Sequence, residues 1–261
     1  MDKLYVIKVG GSIIDDEERL AGFLQSFAQV KEKKILVHGG GKLATRLAEQ
    51  LHIPQQMVEG RRITDRETLK VVTMVYAGLI NKNIVAKLIQ MGCLAAGISG
   101  VDGNVITAHK RTGTLHDYGW VGDIDAIQIG FLQALFKAAN AIVVAPITHN
   151  GEGQLLNTNA DTIAQELAKA LSHVYDTTLV YSFEKVGVLM DATNEHTLIP
   201  RMNFATYEEL KEKQVIFDGM IPKLDNAFAA LNCGVGKVVI GKAEQLEQLI
   251  TGTAGTTIIH E

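Results

Sequence analysis

Residues 151–161, Gly-Glu-Gly-Gln-Leu-Leu-Asn-Thr-Asn-Ala-Asp, lead a short apolar run into two asparagines and an aspartate at the start of a helical pattern. One such side chain commonly caps a helix. Asn157, Asn159 and Asp161 together exceed what a single cap uses, which points to a polar ligand site beside the cap. Lys8 stands near the end of the apolar run Leu4-Tyr-Val-Ile-Lys-Val and is followed by Gly10, Gly11 and Ser12. A lysine on an apolar strand is costly unless its ammonium reaches water or an anion, and paired glycines let backbone amides approach a ligand. Alone, this pattern fits a phosphate site and a snorkelling edge-strand lysine equally well. A second glycine turn, His38-Gly-Gly-Gly-Lys42, again joins a strand pattern to a helix pattern, where free amides form an anion site. Arg61 and Arg62 follow Glu59-Gly60 in a hairpin-like stretch. The planar fork of one of them suits a carboxylate, and two solvated loop arginines are the plainer alternative. Asp218-Gly219 marks a turn ahead of Lys223, a cation at a helix start that the dipole disfavours unless an anion lies near.

Other chemistries have less support. The turn at 38–42 is no Walker loop, since Leu36 and Leu43 stand where glycine and Ser/Thr are required. Gly39-x-Gly41-x-x-Ala44 fits a loose dinucleotide fingerprint with Glu59 downstream, but Pro54 interrupts the stretch leading to the ribose contact. That reading also leaves Lys8 and the Asn/Asp cluster without a role. No histidine pair has metal-ligand spacing, Ser12 and Ser99 lack a nucleophile-elbow context, and His109 and His116 read as loop residues. Cys93 and Cys233 have no metal-type spacing and read as buried structural thiols of a reducing compartment.

The elements that must position these residues follow from hydrophobic periodicity. Short apolar runs at residues 4–9, 34–37, 94–99, 141–145, 177–182, 237–240 and 255–259 predict strands. Amphipathic runs at 17–30, 42–50, 65–90, 131–139, 160–171, 206–213 and 220–231 predict helices. The alternation is that of βαβ units around a parallel sheet covered on both faces. Residues 56–62 and 101–129 break it and read as hairpins or lids at the sheet ends, where α/β proteins bind ligands. Gly78, inside the unusually long 65–90 pattern, marks a kink, a close helix contact or a dimer face.

With 261 residues, 47% of them hydrophobic, the chain is long enough to hold a full core. Its 25 basic and 29 acidic side chains give a net charge of −4, so nothing electrostatic calls for nucleic acid or an anionic membrane as partner. The basic run at 31–34 is broken by Glu32 and reads as a solvated helix end. The apolar runs are shorter than a bilayer span and no leader pattern precedes the first strand, so a cytoplasmic protein without membrane contact is expected.

Taken in order, Lys8-x-Gly-Gly-Ser, His38-Gly-Gly-Gly, Gly60-Arg-Arg-Ile-Thr, Gly153-Gln-Leu-Leu-Asn-Thr-Asn-Ala-Asp161 and Asp218-Gly-Met-Ile-Pro-Lys223 resemble the motifs of the amino-acid kinase family, in particular its acetylglutamate kinase branch. Each motif is ordinary alone; their order over most of the chain is specific. The resemblance implies a three-layer αβα sandwich with a mainly parallel central sheet, forming one kinase domain over residues 1–261. Residues 1–175 would bind acyl-glutamate and dimerise, and 176–261 would bind the nucleotide. The implied reaction moves a phosphoryl group from ATP to the side-chain carboxylate of an N-acyl-L-glutamate, N-acetyl or N-succinyl, in arginine biosynthesis.

Carried over by position, Lys8 and Lys223 flank the phosphoryl group in flight and Asp161 holds them in place. The Gly40 and Gly41 amides and Asn157 hold the acyl-glutamate, and Arg62 takes its α-carboxylate. Gly10, Gly11, Lys185, Gly187, Leu189 and Phe217 contact the nucleotide. A carboxylate with a pKa of about 4 is already ionised at neutral pH, so no general base is needed. The difficulty is bringing an anion against the charged end of ATP, which lysines, amides and Mg²⁺ held mainly by the phosphates would offset.

Some residues depart from the family pattern. Lys42 stands where proline is common, Glu184 replaces an aspartate in the nucleotide segment, and Trp120 in Tyr118-Gly-Trp-Val-Gly-Asp-Ile stands where a smaller aromatic is usual. If that stretch lines the acyl pocket, Trp120 bears on the acyl group preferred. Arginine-inhibited members carry an extra N-terminal helix where this chain starts its first strand, which implies a homodimer without arginine feedback. Within the fold the rivals are glutamate 5-kinase, carbamate kinase and uridylate kinase; outside it, a Rossmann protein or a non-catalytic amino-acid sensor.

Overall fold

The computed structural model describes residues 1–58, 61–191, 193–216 and 220–260. The chain divides into two compact units, Met1–Ile35 with Ala164–Glu261, and Leu36–Ile163. The expected boundary between functional lobes, at residues 175 and 176, falls inside the first of these.

In the first unit, strands hydrogen bond in the order Arg201–Met202, Thr256–Ile258, Lys237–Lys242, Asp176–Phe183, Lys3–Val9. Lys3–Val9 runs parallel to Asp176–Phe183 from Lys3↔Asp176 to Val9↔Ser182. Asp176–Phe183 in turn runs parallel to Lys237–Lys242, and only the short Thr256–Ile258 pairs antiparallel beside it. Leu4, Val6, Ile7, Leu179, Val180, Val238, Val239 and Ile240 are fully buried, as strands covered on both faces require. The helix Glu17–Gln29 starts at Asp16, whose carboxylate accepts from the Glu18 and Arg19 amides, and it buries Leu20, Phe23, Leu24 and Phe27.

Two sequence expectations fail here. Lys34 is not solvated: it is 2% exposed, its ammonium donating to the Val30 and Ala28 carbonyls and lying 5.4 Å from the Phe27 ring centroid. Those carbonyls belong to the C-terminal end of the Glu17–Gln29 helix, where a cation complements the dipole. Cys93 is buried as expected, but Cys233 is exposed, because it caps the helix Ile221–Asn232 after the last core-facing residue, Leu231.

In the second unit, Ala95–Ser99 and Ala141–Ala145 pair parallel and in register. A separate sheet orders Leu155–Asn157, Ile147–His149, Ile106–Lys110 and Gly122–Ile127. The lid-like 101–129 stretch supplies two of its strands, and Ile147–His149, which the periodicity does not predict, supplies a third. Gln56–Val58 and Arg61–Ile63 form the predicted hairpin. The predicted helix over 131–139 is shorter, Ile129–Leu135.

The long helix runs from Arg66 to Gln90, capped by Asp65. It is α-helical to Thr73, a π-helix over Met74–Ile80, and α-helical again from Asn81. Gly78 lies in the π segment with open space around it, so within the described residues it marks a helical irregularity and not a close contact. By length and composition alone this helix is large enough to cross a bilayer, although charged and amide side chains interrupt its apolar runs. It nevertheless buries Leu69, Val71, Val72, Val75, Ile80, Ile84 and Leu88 in this unit's core.

Candidate functional site

The residues assigned from sequence divide between the two units. In the second, the strand Lys33–His38 ends at the glycine turn, and Gly41 opens the helix Gly41–Gln50. Gly40 has φ +142°, a conformation that favours glycine, and a Cβ there would overlap the Ile80 side chain of the π segment. Arg62 reaches back to this turn. Its Nη2 donates to the Gly41 carbonyl at 2.9 Å and to Thr45 Oγ1 at 2.8 Å, and its Nη1 donates to Gln55 Oε1. A guanidinium has five N–H donors, so capacity remains for a ligand. A cation held on the first turn of a helix adds to the positive dipole end, an arrangement that suits an anion. Arg61, by contrast, is exposed, and the plain surface reading applies to it.

Thr64 connects this cluster to the asparagine motif. It is fully buried. Its hydroxyl accepts from Asn157 Nδ2 at 3.0 Å and its carbonyl accepts from the Trp120 amide at 2.7 Å. The Trp120 carbonyl accepts from the Asn157 amide at 2.9 Å. Gly119, with φ +72°, sits so close to the Thr64 carbonyl that a side chain would not fit. Gly40, Gly41, Arg62 and Asn157 are thus gathered within one unit. Asn159 alone is the helix cap, its Oδ1 accepting from the Asp161 and Thr162 amides at 2.8 and 3.1 Å. Asp161 stands in the first turn of the helix Ala160–Ser172.

His38 is fully buried, and desolvation pushes its pKa down to about 4, so the ring is neutral. His109 is not a loop residue: it lies on the strand Ile106–Lys110 and pairs across the hairpin with Asp125 at 2.6 Å. That pair is exposed on both sides, and His116 stays in the connecting loop.

In the first unit, Lys8 is half-buried on Lys3–Val9, and its carbonyl accepts from Ser182 Oγ at 2.9 Å. The Gly10 amide extends the ladder by donating to the Ser182 carbonyl at 2.9 Å. It is therefore committed to the protein, and Gly11 heads the short helix Gly11–Ile14. Lys185 is exposed after the strand Asp176–Phe183, whereas Leu189 is buried and bridged to Leu198. Gly187, with φ +155°, lies where a Cβ would stand 2.7 Å from Thr256 Oγ1. That hydroxyl orders the loop, accepting from the Val188 amide at 2.8 Å and donating to the Ile199 carbonyl at 2.6 Å.

Lys223 sits in the first turn of Ile221–Asn232 beside Pro222, and among the described residues no acidic side chain shares that turn. The helix is braced by Tyr207, whose hydroxyl donates to Asp225 at 2.6 Å and whose ring stacks 5.3 Å from that of Phe228. Burial, then the Asp225 carboxylate, raises the Tyr207 pKa. Phe217, Asp218 and Gly219 lie outside the described residues, as do Glu59 and Gly60.

Sequence reasoning missed Thr45, Gln55, Thr64 and Thr256. Each acts through hydrogen bonds to partners outside its own element: Thr45 and Gln55 to Arg62, Thr64 to Asn157, and Thr256 to Val188 and Ile199.

The second unit thus holds a glycine turn gripped by an arginine together with an Asn-x-Asn-x-Asp helix start, and the first holds a lysine strand ending in a glycine turn. The chain belongs to the amino acid kinase family, whose model matches residues 3–242. It is 54% identical over 264 residues to the acetylglutamate kinase of Cytophaga hutchinsonii, covering 99% of both chains. It is 52% identical over 245 residues to that of Bacteroides fragilis, covering 94% of both. The solved carbamate kinase from Giardia lamblia bound to AMP-PNP matches with a TM-score of 0.71 and 13% identity, covering 100% of this chain and 99% of that one. That likeness shows the shared fold. The family resemblance and the α/β fold with a mainly parallel sheet, both expected from the motifs, are therefore the observed ones, and the Rossmann reading is set aside.

Proposed function

We propose that this protein is an ATP-dependent kinase that phosphorylates the side-chain carboxylate of an N-acyl-L-glutamate, with N-acetyl-L-glutamate the first substrate to test. The product, an N-acyl-glutamyl 5-phosphate, would serve arginine biosynthesis. The observation that carries the reading is the Gly41–Arg62–Thr64–Asn157 cluster, in a chain half identical to acetylglutamate kinases.

In this reading Arg62 takes the substrate α-carboxylate, and the Gly40 and Gly41 amides with Asn157 hold the acyl-glutamate. Lys8 and Lys223 carry positive charge to the γ-phosphoryl group as it passes from ATP to the carboxylate oxygen, leaving ADP, with Asp161 orienting them. The acceptor is ionised already, so these residues supply positioning and charge stabilisation, and none removes a proton. Gly10, Gly11, Lys185, Gly187, Leu189 and Phe217 serve the nucleotide, the Gly10 amide itself being held by the Ser182 carbonyl. The reading assigns Mg²⁺ to the phosphates of ATP, where it screens charge.

Residues 1–175 serve acyl-glutamate binding and dimerisation, and 176–261 serve the nucleotide. A cytoplasmic homodimer is proposed with them, and the exposed Met74, Leu79 and Ile89 on the long helix support an interface there. The test is hydroxylamine trapping of the acyl phosphate with ATP and Mg²⁺, across glutamate, N-acetyl-glutamate and N-succinyl-glutamate. Turnover of an acylated form that Lys8→Ala abolishes is the expected result. Turnover of free glutamate alone would transfer the protein to the glutamate 5-kinase branch.

A further inference from the structure

We infer that His38 is a positioning residue for the acyl-glutamate site, holding the Gly39 peptide so that the Gly40 amide N–H points away from the core. The inference rests on the reading that the Gly40 amide serves the acyl-glutamate. Its ground is a chain of hydrogen bonds whose polarity is set at both ends. Lys82 Nζ donates to Asn81 Oδ1 at 3.0 Å and to the Gly97 carbonyl at 2.7 Å. An ammonium can only donate, so the Asn81 oxygen faces Lys82 and its Nδ2 faces the other way. Nδ2 has two hydrogens: one goes to the Val143 carbonyl at 3.0 Å, and the other is shared between the Ile98 carbonyl at 3.3 Å and His38 Nε2 at 3.4 Å.

The Gly39 carbonyl oxygen lies 2.9 Å from Nδ1 and can only accept, so Nδ1 carries a proton and donates to it. The buried ring is neutral, as its lowered pKa also indicates, so that is its single proton and Nε2 presents its lone pair to Asn81 Nδ2. The chain has no cis peptide among the described residues. In a trans peptide C=O and N–H are antiparallel, so a Gly39 carbonyl held against the buried ring turns the Gly40 N–H outward. Gly97 preserves the arrangement from beneath: a Cβ there would press on Asn81 Oδ1 and stand 2.7 Å from Val85 Cγ2. None of these side chains is asked to touch substrate; His38 acts through the backbone.

Two variants separate this role from bulk packing. In His38→Asn the side-chain amide nitrogen takes the place of Nδ1 and keeps the donor to Gly39. In His38→Gln the amide reaches the Nε2 position and leaves Gly39 without a donor. Steady-state kinetics with N-acetyl-glutamate varied should give a KM for His38→Asn within about twofold of the parent. For His38→Gln it should rise about tenfold, the size of one hydrogen bond, while the KM for ATP stays unchanged. Equal behaviour of the two variants, or parallel changes in both KM values, would overturn the inference. Should either variant fail to fold, ¹⁵N NMR of the unmodified protein reads the His38 tautomer directly, and a proton on Nε2 overturns it. The same spectrum separates the two readings: Nδ1 protonation without acyl-glutamate turnover would leave the hydrogen-bond chain standing and sink the substrate assignment.

Discussion

Gly40→Ala should destabilise the protein for two separable reasons. The backbone at φ +142° is one that an L side chain rarely adopts, and holding alanine there costs about 1–3 kcal/mol. The new methyl would also overlap Ile80 Cδ1, and overpacking of that kind adds about 1–3 kcal/mol. Ile80→Val removes the offending carbon. Ile80 is 4% exposed, so that change alone leaves a small void and costs about 0.5–1.5 kcal/mol. In the double variant the overlap disappears and the backbone strain remains. The cycle should therefore show a favourable coupling of about 1–3 kcal/mol, read from urea unfolding of the four proteins. Additivity to within about 0.5 kcal/mol, the behaviour of independent sites, would refute the steric argument. A Gly40→Ala protein as stable as its parent would refute both arguments.

Stability should also fall in mild acid through His38. Its folded pKa, about 4, lies below the ordinary 6.5, so between these values the unfolded chain holds a proton that the folded chain does not. The stabilisation is therefore complete above pH 6.5 and is lost as pH falls towards 4, by an amount of order 3 kcal/mol. The neighbouring Lys82 charge acts in the same direction as burial. His38→Asn should flatten the urea midpoint against pH across that window; an unchanged slope would assign the effect to another group. Trp120, stapled by its backbone between Thr64 and Asn157 and with Lys110 Nζ 5.6 Å from its ring centroid, should influence the acyl group. Trp120→Phe is expected to change the ratio of kcat/KM for N-acetyl- and N-succinyl-glutamate by several-fold; an unaltered ratio in competition assays would remove the basis for that role.

Much of the scaffold was legible because it is local. The alternation of apolar runs and amphipathic segments placed every predicted strand within two residues of its observed ends, since periods of two and of 3.6 residues are properties of neighbouring side chains. Asp16, Asp65 and Asn159 cap helices from positions next to the turns they cap. The ordered motifs also sufficed for the family.

What spacing could not decide was the job of each polar residue. Asn157 and Asn159 look alike in sequence, yet only Asn159 caps its helix, while Asn157 bonds to Thr64, 93 positions away. Arg61 and Arg62 are adjacent, yet one is exposed and the other locks the glycine turn. Lys34 was misread as solvated and Cys233 as buried, because burial at an element's end depends on what packs over it. The sequence by itself determined the strands and helices of the βαβ alternation, their order and the family. The tertiary structure alone decided which amides, guanidinium and imidazole converge, because hydrogen bonds between segments distant along the chain leave no period in it.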